Sequence, residues 1–388
     1  MHKPNRGRDA NWVYGCYRLV CGCRLGPVWL CVLQVIFLYG GGPPPFCLVG
    51  GGGWWGTVGW GWHIYSPLSI FSPMTVSSDV VPAGIYTPVT TFFQKDDQFL
   101  DLESQVKHAK FLYERKIQGL LVCGSMGEAA HLTRKERHDV VAAVRNAISD
   151  SEFKIIAGAP SMANVSEIVE ESQSAKDAGA DFFIVLVPGF FGPNLTSQAG
   201  IVDYFTRVAD KSALPVLIYN YPGTSNMVSI TAESYKKLAT HPKIVGAKFT
   251  HCNIDEYTLV AQDPKIRSQN FRLFTGLGQV LLPALTVGFY GAIDGLSAVF
   301  PKSLVHLQTL YNRGEFQEAA KLQLLVNRAE KLVGELNING VKYALKEFYG
   351  FGTGLTARPP LNHYFTVEAY NKFQGDLKAL KEVEDSLA

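Results

Sequence analysis

From Val81 to Asp294 short apolar runs alternate with longer stretches whose apolar residues recur at helical spacing. The runs are Gly84–Tyr86, Gly119–Cys123, Lys154–Gly158, Phe182–Val187, Pro215–Tyr219, Ile244–Lys248, Phe271–Thr275 and Tyr290–Asp294. Most lie about 25 to 35 residues apart, as a repeated strand–helix unit requires. They are continuous rather than alternating, the mark of parallel strands buried on both faces. Between them, Leu102, Val106, Ala109 and Leu112 define one helical face. Thr133 with Glu136 reads as a capping box, and Asn164 with Glu167 repeats it. Gly119, Gly158 and Gly179 fall at element edges, where tight turns need them. A doubly wound sheet would show a Gly-rich phosphate loop after its first strand. Here that strand runs into Thr87-Pro88-Val89-Thr90. The pattern therefore predicts an α/β chain folded as a (β/α)8 TIM barrel over residues 81–313. A C-terminal helical extension over 314–388 should pack on it, with helices at 314–331, 340–349 and 366–387.

The first eighty residues follow no such rhythm. All six Trp precede residue 63, and five of the seven Cys precede residue 48. Gly40-Gly41-Gly42-Pro43-Pro44-Pro45 and Gly50 to Gly53 interrupt every apolar run. Pro27–Tyr39, with Arg6, Arg8, Arg18 and Arg24 before it, could be a signal peptide or anchor, but is short for a bilayer span. Neither Ser-rich nor amphipathic, the segment departs from a mitochondrial presequence. Disorder, or an upstream start with Met74 the true beginning, is the plainer reading. The remaining chain holds only Cys123 and Cys252, so no disulfide framework is expected and a cytoplasmic location follows, with mitochondria the alternative if the leader is real. With 36 Lys and Arg against 34 Asp and Glu, no global charge argues for nucleic acid or an anionic membrane.

In such barrels chemistry sits at the C-terminal ends of the strands. Lys248 closes the sixth run behind Ile244, Val245, Gly246 and Ala247. Pointing into the mouth, its ammonium would be disfavoured by burial, and the free amine could attack a ketone to form an iminium. A lysine snorkelling to the surface is the competing reading. Tyr219, one strand away, could move protons, or could be a core tyrosine. Ser125 lies in the turn Gly124-Ser125-Met126-Gly127-Glu128, whose backbone N–H groups could hold a carboxylate. The nine His form no metal-ligand cluster, so neither metal nor cofactor is expected. His251 reads as a loop residue.

Together these segments resemble the dihydrodipicolinate synthase / N-acetylneuraminate lyase family of class I aldolases, over residues 82 to 362. Gly124-Ser125-Met126-Gly127-Glu128 resembles the family's carboxylate-binding turn, Tyr219-Asn220-Tyr221-Pro222-Gly223 its catalytic tyrosine segment, and Gly246-Ala247-Lys248 its Schiff-base segment. Arg358-Pro359-Pro360-Leu361 resembles its C-terminal helix boundary. The resemblance implies a Schiff base on Lys248, proton transfer by Tyr219, carboxylate binding at Ser125 and Met126, and a homotetramer or dimer.

There are departures. Where the synthases that take aspartate semialdehyde carry an Arg, this chain has Thr224, followed by Ser225 and Asn226. Thr cannot imitate a bidentate carboxylate anchor. The neighbouring subunit's tyrosine has no clear counterpart near Val187-Pro188-Gly189-Phe190-Phe191, and Phe249 replaces an acidic residue after the lysine. Thr224, Ser225, Asn226 and the Gly340-Val341-Lys342 region look more like the eukaryotic aldolases of 4-hydroxy-2-oxo and 2-keto-3-deoxy sugar acids. The expected activity is reversible cleavage of such an acid to pyruvate and an aldehyde, with the three polar residues contacting distal hydroxyls. The alternatives are a dihydrodipicolinate synthase and a catalytically silent barrel that binds 2-oxo acids. A small-molecule 2-oxo acid is the expected partner, with no nucleic acid and no stable membrane association.

Overall fold

The computed structural model describes residues 80–95, 99–161, 164–363 and 365–387. Apart from Val80, the expected N-terminal segment lies outside them. Eight parallel strands close into one barrel in sequential order: β1 Gly84–Pro88, β2 Gly119–Val122, β3 Lys154–Gly158, β4 Phe182–Leu186, β5 Val216–Asn220, β6 Ile244–Phe249, β7 Arg272–Thr275 and β8 Gly291–Ile293. Each overlaps one of the apolar runs. The predicted (β/α)8 TIM barrel is what forms, because successive side chains point alternately inward and outward. Tyr86, Leu121, Ile156, Leu217, Phe274 and Ile293 pack in the barrel interior. Val122, Ile155, Val216, Ile218, Ile244 and Ala247 face the surrounding helices.

Helix starts follow the local signals. Thr133 caps Arg134–Ala147, its hydroxyl accepting from Glu136 N at 3.2 Å while the Glu136 carboxylate accepts from Thr133 N at 2.8 Å. Asn164 caps Val165–Asp177 by accepting from Glu167 N. Such caps are typically worth ~1 kcal/mol each. Glu136 also receives the Arg358 guanidinium, which holds its carboxyl down at about 2.

The C-terminal helices differ from expectation where the single helix expected over 366–387 forms as two. A break was expected between residues 331 and 340, and within Phe316–Tyr349 two helices meet at Asn337, whose φ of 47° and ψ of −133° are non-helical. Beyond the kink the helix is held from outside. The Asn339 side chain accepts from Ala357 N at 2.7 Å and donates to Leu361 O at 2.8 Å. Lys342 donates to Glu128 at 2.9 Å, and neither side chain is exposed to solvent. Val367–Asn371 and Gln374–Ser386 complete the extension. Among the described residues no helix is long and apolar enough to cross a membrane.

The Lys342–Glu128 pair reaches the turn that carries Ser125. Burial holds the Lys342 ammonium below its usual range while Glu128 supports it. Lys342→Met strands the Glu128 carboxylate in the interior. Removing one partner of a buried pair should cost about 3–5 kcal/mol, measured by urea denaturation. A loss below about 1 kcal/mol would show that solvent reaches Glu128.

Candidate active site

Alternation along β6 decides where the lysine points. Ala247 and Phe249 pack outward, so Lys248 between them projects into the mouth of the barrel. Its side chain is buried, with 2 % of the residue exposed. Lys248 pairs with Tyr219 on β5 and with Phe274 on β7. Its Nζ lies 4.5 Å from the centroid of the Tyr219 ring. Burial pushes the ammonium down to about 7, against the opposing pull of the Asp294 carboxylate. Near neutral pH a substantial fraction is therefore free amine. The surface-snorkelling reading is excluded by the burial.

Tyr219 occupies the next strand and is 4 % exposed. Its hydroxyl is 3.0 Å from the Ser125 hydroxyl. Burial raises its pKa, with the Ser125 hydrogen bond opposing, so the phenol is protonated at rest. The Ser125 turn is set by its own backbone: Gly127 N and Ala129 N both donate to Gly124 O, and Glu128 N to Ser125 O. Among the described residues the N–H groups of Ser125 and Met126 donate to no other backbone carbonyl. They are the two positions from which a carboxylate could be held. Gly127 is required here, since a Cβ would lie 3.0 Å from Val89 O and from the Cys123 backbone. Thr91 fastens the turn by donating to Gly127 O at 2.7 Å. The Met126 side chain is buried and packs toward Gly295 after β8.

The three polar residues after β5 do not act together. Thr224 and Asn226 line a cavity of about 220 Å³ with Leu186, Val187, Gly189 and Phe190. Ser225 is buried, and its hydroxyl donates to Tyr221 O at 2.6 Å, so it stabilises the loop from inside. Phe190 is exposed at the rim of the cavity. Phe249, the other departure, points away from the mouth and stacks on Tyr235 with ring centroids 4.9 Å apart. A residue on that face of β6 belongs to the packing between strand and helix. His251 packs edge-on against Phe249 and Tyr257, and burial pushes its imidazole down to about 4.

Several residues at the mouth carried no signal in the sequence. Thr250, two positions beyond Lys248, has a buried hydroxyl that acts on the Tyr219 phenol, and Thr90 has a buried hydroxyl without a hydrogen-bond partner. A Cβ on Gly276 would fall 1.9 Å from the Thr250 hydroxyl and 2.9 Å from Lys248 Cε, so that glycine keeps the lysine's space open. Asp294, ending the β8 run, and Glu330, on the long C-terminal helix, are both buried. The strand-end position of Asp294 could have been noticed, but nothing in the sequence links it to Glu330.

The model of the Dihydrodipicolinate synthetase family matches residues 81–380. A probable 4-hydroxy-2-oxoglutarate aldolase, mitochondrial, of Emericella nidulans is 35 % identical over 275 residues, 69 % of this chain and 86 % of that one. An L-threo-3-deoxy-hexylosonate aldolase of Hypocrea jecorina is 34 % identical over 287 residues, 72 % of this chain and 90 % of that one. The solved structure of a prophage protein of the dihydrodipicolinic acid synthase family from E. coli K12, in complex with pyruvate, superposes with a TM-score of 0.70. It is 25 % identical and covers 77 % of this chain and 98 % of its own. The chain belongs to the dihydrodipicolinate synthetase family.

Proposed function

We propose that this protein is a class I aldolase that reversibly cleaves a 4-hydroxy-2-oxo acid of the 2-keto-3-deoxy sugar acid type into pyruvate and an aldehyde. The observation that carries the reading is a buried amine whose pKa is lowered, set beside a tyrosine that is hydrogen-bonded to the Ser125 turn. Lys248 attacks C2 of the oxo acid, and the iminium then accepts the electron pair of the breaking C3–C4 bond. The C1 carboxylate rests on the Ser125 hydroxyl and the N–H groups of Ser125 and Met126. As C3–C4 breaks, the C4 hydroxyl loses its proton. Tyr219 takes it up while passing its own to Ser125, whose hydroxyl hands its proton on to the C1 carboxylate it holds, because a phenol protonated at rest works as a relay rather than a standing base. The pyruvate in the E. coli protein's structure, and the names of the two fungal relatives, support this substrate class.

The distal end of the substrate fits the cavity at Thr224 and Asn226. No cationic side chain lines it, so nothing there matches a second carboxylate. A polyhydroxylated 2-keto-3-deoxy acid should therefore exceed 4-hydroxy-2-oxoglutarate in kcat/KM by a factor on the order of ten. Thr224→Arg should narrow or reverse that ratio. Equal kcat/KM for both acids in the native enzyme would remove the assignment of this cavity. Borohydride reduction with pyruvate, followed by peptide mass spectrometry, tests the chemistry itself: an adduct on Lys248 supports it, and no adduct on folded protein rejects it. The same class of protein is expected to work as a homotetramer or dimer. The Emericella relative's name supports a mitochondrial location over a cytoplasmic one.

A further inference from the structure

Behind Lys248 lie two carboxyl groups that the mechanism above does not use. Asp294 follows β8, separated from β6 only by β7, and Glu330 reaches in from the long C-terminal helix. Asp294 is 0 % and Glu330 4 % exposed. They meet at Gly278, in the loop after β7. A Cβ there would lie 2.9 Å from Glu330 Oε2 and 3.1 Å from Asp294 Oδ1. Two residues earlier, Gly276 makes the space for Lys248 Cε. One short loop thus separates the amine from the acid pair.

The hydrogen bonding of the pair is lopsided. Asp294 Oδ1 accepts from Leu296 N at 2.8 Å, and the Asp294 carbonyl accepts from the Ser297 hydroxyl. Asp294 Oδ2 and Glu330 Oε2 are buried with no protein donor directed at either. Two ionised carboxylates cannot be left so close in a dry interior, so one must carry a proton and donate it to the other. The charged and titratable groups around them are Lys248 from β6 and Cys252 from the loop after it. Burial, and then the neighbouring Asp294 charge, push Glu330 well above the carboxylate range, while Asp294 rises only to about 6. Glu330 is therefore the member that holds the proton.

We propose that Asp294 and Glu330 form a charge-setting pair for Lys248: ionised Asp294 is the counter-charge of the resting ammonium, while neutral Glu330 donates a hydrogen bond that keeps Asp294 ionised. The inference rests on Lys248 being the Schiff-base amine. The proton balance closes. The ammonium releases one proton to solvent at the barrel mouth. The freed amine adds to the ketone carbon to give a carbinolamine. A proton is then returned to the departing carbinolamine hydroxyl, which leaves as water. The iminium, again a cation, takes the place of the ammonium as the charge that Asp294 balances. Asp294 and Glu330 are positioning residues here, since neither touches the substrate.

The test is the pH dependence of cyanoborohydride trapping with pyruvate, read by mass spectrometry of the Lys248 peptide from about pH 5.5 to about 9.5. Asp294→Asn removes a negative charge that favours the ammonium, so the midpoint of the rising limb should fall by about one pH unit. Glu330→Gln replaces a neutral donor by a neutral donor and should leave the midpoint within about 0.3 unit of the native value. If Asp294→Asn does not fold, Asp294→Ser removes the same charge and keeps an acceptor for Leu296 N. An unmoved midpoint in the folded Asp294 variant overturns the proposal. So does a Glu330→Gln shift as large as that of Asp294→Asn, which would make Glu330 the charged member. Absence of any adduct in the native enzyme is a different outcome, since it removes the Schiff-base reading on which the pair depends.

Discussion

Lys248→Met should bring retro-aldol turnover down by a factor on the order of 10⁴ or more, and borohydride should leave no pyruvate adduct on the protein. The reason is chemical: the iminium needs an amine, and Tyr219 alone only relays protons. Residual activity within about tenfold of the native enzyme would mean that the carbon–carbon bond breaks without Lys248. Loss of catalysis should come with a gain in stability whose sign follows from the same burial. Lys248 is held at about 7 in the folded protein against 10.5 ordinarily. Between those values the unfolded chain binds the extra proton, so native stability rises with pH across that window. Below about 7 the folded protein carries the full cost of the buried ammonium, and above about 10.5 that cost is gone. Lys248→Met should therefore be the more stable protein, by on the order of a few kcal/mol at pH 6 and by little at pH 10.5, read from denaturant midpoints. Equal stabilisation at both pH values would assign the gain to packing.

Tyr219→Phe should lower kcat by a factor on the order of 10² to 10⁴ with little change in the midpoint of imine trapping. The ring stays in place against Lys248 and the barrel interior, so the fold should survive. What is lost is the hydroxyl 3.0 Å from Ser125, and with it the path by which the C4 proton leaves. The distinction between the two variants is diagnostic. Lys248→Met loses the adduct, whereas Tyr219→Phe should keep it, more slowly formed, and stall at bond cleavage. An unaltered kcat for Tyr219→Phe would return the residue to a packing role. A lost adduct would instead mean that the phenol is required for imine formation itself.

Much of this was legible in the chain because it depends on local pattern. Short apolar runs at regular spacing specify parallel strands, and Thr133 with Glu136 specifies a helix start, since both signals act over a few residues. Lys248, Tyr219 and the Ser125 turn were legible for the same reason: each is a polar residue closing an apolar run. The loop after β5 was legible only in part. Thr224, Ser225 and Asn226 read alike as polar residues, yet one hydroxyl turns inward to Tyr221 because the loop needs that hydrogen bond. Phe249 looked like a functional departure until strand alternation placed it against Tyr235.

The amino-acid sequence by itself determined the barrel, the order of its strands and the residue types presented at their ends, because strand period and spacing leave few other ways to bury those runs. Only the tertiary structure decided which of those residues share a volume. Residues 248, 294 and 330 come from a strand, from the residue after another strand and from a helix outside the repeat. Their mutual influence is a matter of charge in a dry interior, which falls off with distance in space and takes no account of separation along the chain. The same holds for Lys342 and Glu128, 214 positions apart and in direct contact. The segment after Asn337 belongs with them: Asn339 and Lys342 find their partners across the fold.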